Sequence, residues 1–185
     1  MIQNLFSTPI YKTKLNLDTV AIRDYCLTVP TNNFEHDQGG SNTPDLEFDK
    51  HPTLHPLFMS VIDHANRFYQ DLQLGTSNVY MTASWISICK HKDFNMLHKH
   101  HTALISGVYH VYTPTGDIVF QNPNPHVETL WNTSNKQYNE YNSPTWSFPP
   151  EPNNLYLFPS WLDHYVKPNL SRETRVAISF NLNEA

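Results

Sequence analysis

The sequence predicts a mainly β protein with flanking helices, whose strands close into a jelly-roll barrel. After Gly75 the chain contains several apolar, β-branched or aromatic runs separated by turn residues, a texture typical of strands. Helical periodicity is confined to the part before Gly75 and does not alternate with strands, so a parallel doubly wound sheet is not expected. Fourteen prolines against five glycines favour rigid, irregular connections between short strands.

The first part of the chain is expected to hold one strand and two helices. FSTPIYKTKLN alternates apolar and polar residues after Pro9, which predicts an opening strand. LDTVAIRDYCLTV has apolar residues at helical spacing with Asp18 as a plausible N-cap, and residues 32–52 are expected to form a loop. The spacing of apolar residues over 53–74 predicts an amphipathic helix that covers a sheet. Its apolar face is made of Leu57, Val61, Ala65 and Phe68.

The part after Gly75 is expected to supply the barrel strands. They lie in the segments VYMTASWISICKH, ALISGVYHVYTP, GDIVFQN, NNLYLFPS and RVAISFNLN. Residues 122–154 are expected to form a loop rich in Asn, Pro, Thr and Ser. Long loops in compact domains are often functional, and this one carries aromatic residues, so we interpret it as a lid or substrate wall. Those aromatic residues are Trp131, Tyr138, Tyr141, Trp146 and Phe148.

Length, charge and cysteine content limit the class of protein. With 185 residues, a single domain over residues 1–185 is expected. Charged residues make up 16% of the chain and the formal net charge is -5, so we expect no nucleic-acid partner. Cys26 and Cys89 show no CxxC spacing, and no apolar run is long enough for a membrane span. The sequence therefore favours a soluble cytoplasmic protein without a membrane partner.

The segment HKHHTALISGVYH places three histidines just before an apolar run. If residues 98–101 lead extended into a strand, His98 and His100 point to one face and His101 to the other. Two neutral imidazoles at this spacing can bind one transition metal. The best candidate for a third ligand is His164 in LFPSWLDHYV, where a turn presents the imidazole at the start of the next strand. His101 and His110 are expected to take no part in metal binding.

An arginine stands at the start of the last apolar run, RVAISFNLN. Arg175 is expected to face inward, together with Ala177 and Ser179, and a buried guanidinium is costly unless it meets an anion. A carboxylate-bearing cosubstrate would supply that anion through a bidentate contact. For Tyr109 two interpretations stay open: a core residue, or a cosubstrate-binding residue whose hydroxyl reaches the same ligand.

Two long segments of the chain resemble a known enzyme family. SGVYHVYTPTGDIVFQNP, followed by LYLFPSWLDHYVKPNLSRETRVAISFN, resembles the 2-oxoglutarate- and iron(II)-dependent oxygenases found in bacteria and marine phages. The similarity extends from LFSTPIYKTKL to the end, with QGGSN and the helix after Thr53 resembling the N-terminal half. Its specific part is the ordered set of histidine pair, SGVY, LFPSWLDH and arginine.

The resemblance implies a double-stranded β-helix, a jelly-roll and cupin-like barrel with iron at its mouth. It implies that 2-oxoglutarate chelates the iron and that an arginine holds the distal carboxylate of this cosubstrate. On that pattern His98 and His164 would be metal ligands and Arg175 the carboxylate clamp. The implied activity is hydroxylation of an unidentified peptidyl or small-molecule substrate, in the cytoplasm of the cell or of a phage host.

The chain departs from the wider superfamily at the middle ligand. A carboxylate is usual there, but this sequence has His100, so the predicted catalytic and metal-binding set is His98, His100 and His164. A serine that often follows the clamp two residues later is replaced by Ala177. Two alternatives therefore stay open: a three-histidine metal dioxygenase that does not use 2-oxoglutarate, and a non-catalytic β-barrel binding module.

Overall fold

The structure is a computed structural model that describes residues 2–33, 40–127 and 137–185. Its helices are α1, Thr19–Cys26, and α2, His55–Asp71. Within the described ranges the strands are β1 Tyr11–Lys14, β2 Asn32–Asn33, β3 Ser41–Asn42, β4 Val79–Cys89, β5 Asn95–His98, β6 Ile105–Tyr112, β7 Ile118–Gln121, β8 Thr145–Phe148, β9 Asn154–Pro159, β10 His164–Val166 and β11 Arg175–Glu184.

The strands form two antiparallel sheets. The large sheet has seven strands in the order β1-β9-β6-β11-β4-β3-β2, and the small sheet has four in the order β5-β10-β7-β8. Neighbours in both sheets are antiparallel wherever they pair. Residues of both sheets meet in one apolar cluster between them, made of Ile118, Phe120, Tyr156, Phe158 and Leu162. The predicted class, mainly β with flanking helices, is confirmed.

Both helices pack on the outer face of the large sheet. The predicted apolar face of α2 is buried against that sheet, in a cluster that also contains Ile178 and Phe180 of β11. We call this cluster the helix-side core. The α1 helix begins as predicted, because the carboxylate of Asp18 accepts hydrogen bonds from the backbone N–H groups of Val20 and Ala21.

The last strand separates the helix-side core from the barrel interior. Val176, Ile178 and Phe180 belong to the helix-side core. The alternate residues, Arg175 and Ala177 among them, line a cavity between the sheets. This follows from strand geometry, since successive side chains point to opposite faces. The strand thus has one apolar face that packs in the helix-side core and a second face that lines the cavity.

Three parts of the sequence-based prediction need correction. Residues 32–52 are not all loop, because β2 and β3 form a short antiparallel pair. Within the 122–154 segment, Trp146 and Phe148 belong to strand β8, which pairs with β7; Trp131 lies outside the described residues. The histidine segment does not lead straight into β6, because His98 ends a separate strand, β5, of the other sheet.

Two further features of the described residues bear on the class of protein. Neither helix is long and apolar enough to cross a membrane. Cys26 and Cys89 are both buried free thiols.

Candidate functional site

Three histidines meet where β5 and β10 lie side by side. His164 opens β10 and stands directly opposite His98, the last residue of β5. His100 follows two residues later, held by its backbone N–H, which donates to the Ser160 carbonyl at 2.9 Å. One nitrogen from each ring lies within 4.8 Å of the others. In the described ranges this is the one group of three or more His, Cys, Asp or Glu side chains able to hold a metal ion.

Hydrogen bonds fix the orientation of two of these rings. His98 Nδ1 lies 2.7 Å from the Met96 carbonyl, and His164 Nδ1 lies 2.8 Å from the Leu162 carbonyl. Because a carbonyl can only accept, each Nδ1 must carry the hydrogen. The lone pair of each ring is therefore on Nε2, the tautomer that a metal ligand needs.

Burial keeps two of the three imidazoles, those of His100 and His164, uncharged. Burial lowers the pKa of His164 to about 3, and the neighbouring His98 acts in the same direction. Burial also lowers the pKa of His100 to about 4, again assisted by His98. Both rings are therefore neutral at pH 7 and have lone pairs available for a metal, since only neutral imidazole coordinates.

The histidines open into a cavity of about 390 Å³ between the two sheets, within the range of roughly 300–1,000 Å³ that small-molecule sites occupy. Arg175 lines it and is only 3% exposed. Its guanidinium donates from Nη1 to the Lys167 carbonyl at 2.9 Å and from Nη2 to Asn95 Oδ1 at 3.3 Å. No carboxylate of the described residues forms an ion pair with it. A buried cation of this kind indicates a place for an anionic ligand.

A glycine makes room for this guanidinium. Gly116 also lines the cavity, and a Cβ placed there would lie 2.1 Å from Arg175 Nη1. Its φ of +98° is one that other residues rarely adopt. Both the space and the backbone conformation therefore require glycine at this position.

The structure brings together four of the five residues singled out from the sequence. His98, His100, His164 and Arg175 line one cavity. Tyr109 does not: it lies on the opposite face of β6 in the helix-side core, where its hydroxyl donates to Asn153 Oδ1 at 2.5 Å. The alternation of β6 explains this position, since its inward neighbour is residue 110.

Several other cavity residues were not predicted from the sequence, among them Asn95, Trp85 and Thr113. Asn95 was missed because β5 is a short strand without apolar alternation. Trp85 was expected only as a strand residue; it lines the cavity, and its ring centroid lies 5.7 Å from that of His100. The third, Thr113, stands just after the end of β6 and was assigned no role. Alternation of apolar and polar residues shows to which face of its sheet a strand residue points. It does not show which residues of the other strands lie next to it.

A family model described as "Putative 2OG-Fe(II) oxygenase" matches residues 83–181, more than half of the chain. The chain belongs to this family. The matched region contains the three clustered histidines and Arg175. Family membership confirms the predicted enzyme class and its cofactors, iron(II) and 2-oxoglutarate. No curated protein matches the oxygenase at a significant level.

Solved structures confirm the double-stranded β-helix fold. A prolyl-4-hydroxylase from Pseudomonas putida covers 96% of this chain and 94% of its own, with 11% identity and a TM-score of 0.67. The carbocyclase SnoK of nogalamycin biosynthesis covers 97% and 81%, with 14% identity and a TM-score of 0.71. HygX from Streptomyces hygroscopicus, with nickel, 2-oxoglutarate and hygromycin B bound, covers 97% and 84%, with 10% identity and a TM-score of 0.64.

The donor set of the cavity fits both cofactors. Imidazole nitrogen is a suitable ligand for iron, and three such donors on one side leave other coordination positions open. The buried guanidinium fits a carboxylate, which it can meet through a bidentate contact. The same cavity thus contains three histidines that could hold a metal ion and a buried guanidinium that fits an anion.

Proposed function

We propose that this oxygenase hydroxylates a peptidyl or small-molecule substrate, using iron(II) held by His98, His100 and His164 and 2-oxoglutarate held by Arg175. One observation carries the proposal: a single cavity contains three converging imidazoles and a buried arginine that has no ion pair within the described part of the chain. Neither feature is stabilising by itself, since unpaired buried polar and charged groups cost free energy. Bound metal and cosubstrate would compensate both.

Each histidine has a distinct task in this scheme. His98 and His164 present Nε2 because their Nδ1 atoms are already engaged with backbone carbonyls. His100 completes the set from the segment beyond β5, with Trp85 against its ring. When bound together with dioxygen, iron(II) and 2-oxoglutarate supply an oxidant able to attack an unactivated C–H bond.

Arg175 selects and orients the cosubstrate. Its guanidinium is fixed by the Lys167 carbonyl and Asn95, and Gly116 leaves the space that it occupies. A dicarboxylate held by a rigid fork at one end has its other end directed along the cavity. Because the guanidinium is already held in place, binding of the keto acid costs little further ordering of this side chain.

The rim of the cavity supports a substrate with an apolar part. Trp85, Met96 and Leu97 line the cavity, as does Asn42. Lys99 also lines it and forms an ion pair at 3.6 Å with Asp163, and both of these side chains are partly exposed. Among the solved neighbours are a prolyl-4-hydroxylase and an enzyme bound to hygromycin B, which supports a peptidyl or small-molecule substrate.

We also propose that residues 1–185 act as one catalytic domain in the cytoplasm. The solved oxygenases named above align with 96% and 97% of the chain. Cys26 and Cys89 are free and buried, which supports a reducing compartment.

A three-histidine dioxygenase that works without 2-oxoglutarate is the second candidate. It is favoured by one observation, that the clustered ligands include no carboxylate within the described residues. The buried Arg175 argues against this second candidate, because a dioxygenase that works without 2-oxoglutarate needs no residue to bind a distal carboxylate.

Anaerobic titration of the iron-loaded protein with 2-oxoglutarate tests the proposal. We expect a weak visible charge-transfer band that saturates at one equivalent, and succinate release once dioxygen is admitted. Iron binding without any 2-oxoglutarate binding would favour the second candidate. Failure to bind iron at all would contradict both candidates and favour a binding module.

A further inference from the structure

The cavity contains a hydroxyl group that no described atom satisfies. Thr113 is 3% exposed and lines the same cavity as Arg175. Its Oγ1 is buried and has no hydrogen-bond partner. Leaving a buried donor unsatisfied costs roughly 1–3 kcal/mol, so such a group is rare without a reason.

An irregularity in the sheet turns this side chain inward. Val176 and Ala177 are consecutive on β11, but their partners on β6 are Tyr112 and His110, two residues apart. The β6 strand therefore has one extra residue at this point, which is a β-bulge. Bulges re-aim side chains and recur next to active sites.

The bulge changes which residues of β6 face the helices. Val111 and Tyr112 both pack with the helix-side core, whereas simple alternation would turn one of them inward. The next residue, Thr113, then faces the cavity. Since Val176 pairs with Tyr112, Thr113 and Arg175 are neighbours across the two strands.

The surroundings leave the Arg175 site with few donors besides the guanidinium. Ala177, the next inward residue of β11, has no polar side chain. His110 has an unpartnered Nδ1, but its ring bonds to the backbone of Glu151, and burial lowers its pKa to about 3. A neutral ring in that state offers a lone pair, which repels a carboxylate. Ser87 and Ser179 carry further hydroxyls in the cavity. Among the described residues, Thr113 is the cavity residue whose hydroxyl is buried without a partner, and it lies across from Arg175.

We propose that Thr113 Oγ1 donates a hydrogen bond to the same carboxylate that Arg175 binds, which makes Thr113 a second cosubstrate-binding residue. This inference rests on the proposed function, because it takes the anion to be the distal carboxylate of 2-oxoglutarate. A carboxylate has about four acceptor sites and can meet a guanidinium and a hydroxyl at once. A keto acid without that carboxylate leaves the hydroxyl unsatisfied, so Thr113 also contributes to selectivity.

The test compares two ligands on zinc-loaded protein, which does not turn over. Calorimetry measures the affinity of 2-oxoglutarate and of 2-oxopentanoate, which has a methyl group in place of the distal carboxylate. In Thr113→Val we expect the 2-oxoglutarate affinity to fall at least about tenfold. The affinity for 2-oxopentanoate should not change, and Thr113→Ser should keep most of the wild-type affinity for 2-oxoglutarate.

Two controls separate a binding role from a structural one. Thr145→Val makes the same chemical change at an exposed position of β8 and should alter neither affinity. The ligand-free Thr113→Val protein should unfold at a temperature equal to or above that of wild type, because an unsatisfied hydroxyl has been removed. Equal affinity of wild type and Thr113→Val for 2-oxoglutarate, or equal losses for both keto acids, would overturn the inference alone. Absence of 2-oxoglutarate binding in wild type would overturn the proposed function with it.

Discussion

Replacing Arg175 by methionine should abolish the response to 2-oxoglutarate without destabilising the ligand-free protein. The guanidinium is 3% exposed and has no ion pair among the described residues. In the absence of an anion it is an uncompensated buried charge, which costs several kcal/mol. Methionine is long, apolar and flexible, so it can fill the same space without that charge.

Two opposing contributions determine how Arg175→Met changes the free energy of unfolding: the loss of hydrogen bonds and the removal of a buried charge. The variant loses hydrogen bonds to the Lys167 carbonyl and to Asn95 Oδ1, at 2.9 and 3.3 Å, and the second is long. Bonds from charged donors contribute about 1.5–3 kcal/mol each. Measured exchanges of buried ionic groups for apolar ones of similar volume already include the loss of such bonds, and their net effect is neutral or stabilising by about 1–4 kcal/mol. We expect a net change in the free energy of unfolding between zero and about +2 kcal/mol, or up to about 8 °C in melting temperature.

Thermal unfolding of the zinc-loaded protein, with and without 2-oxoglutarate, provides the assay. A ligand at about 100 times its dissociation constant adds about 2.7 kcal/mol, or roughly 5–11 °C for a chain of this size. Wild type should show this increase, Arg175→Lys a smaller one, and Arg175→Met none. The reasoning fails if 2-oxoglutarate stabilises Arg175→Met as much as wild type. It also fails if the ligand-free variant loses more than about 2 kcal/mol.

Three further predictions concern the metal cluster, the glycine and the buried histidine. His164→Ala should abolish stoichiometric zinc binding measured by calorimetry, whereas His101→Ala should not, because His101 is exposed and outside the cluster; equal losses would contradict the assignment. Gly116→Ala should weaken 2-oxoglutarate binding more than about tenfold with metal binding retained, since a Cβ would lie 2.1 Å from Arg175 Nη1; unchanged affinity in the same titration would contradict it. Burial lowers the pKa of His110 from 6.5 to about 3, so the unfolded state binds more protons between these values. Metal-free stability should therefore be fully present above the unfolded pKa and fall on acidification by up to about 1.4 kcal/mol per pH unit from this residue. Urea unfolding at about pH 7 and about pH 5 should show a flatter dependence in His110→Phe, and identical slopes would refute the assignment.

The fold could be predicted where an element is long and its burial pattern regular. The α2 face at Leu57, Val61, Ala65 and Phe68 repeats at helical spacing and is buried as expected. Strands β5 and β8 were missed because each has four residues and no buried alternation of its own. Such strands form because a neighbouring strand offers backbone partners, and sequence periodicity does not record that.

The candidate site could be predicted in its residues more than in its geometry. His98 and His100 were paired on the assumption of one extended segment, but the structure places them at the end of β5 and beyond it, opposite β10. Thr113 could not be assigned a face, because the bulge opposite Val176 shifts the alternation of β6. The face of Tyr109, in contrast, could be predicted. Regular alternation along β6 places it on the face opposite to that of the inward-pointing residue 110, in the helix-side core.

Among the described residues, the group proposed to hold the metal consists of three histidines without a carboxylate, which changes the charge of the site. If His98, His100 and His164 hold the metal as proposed, they do so as neutral donors, so a divalent ion between them would retain both of its positive charges. Arg175 adds a third positive charge in the same cavity. A carboxylate ligand would already have neutralised one of these charges, whereas here the dianionic cosubstrate must compensate them. Under the proposed function, a histidine in place of the usual carboxylate ligand therefore strengthens the preference for a dicarboxylate over a monoanion, since every added positive charge in a low-dielectric cavity favours the more negative ligand. A buried arginine and an all-histidine group in one cavity therefore fit the same ligand, a dicarboxylate whose two negative charges offset the positive charges of the site.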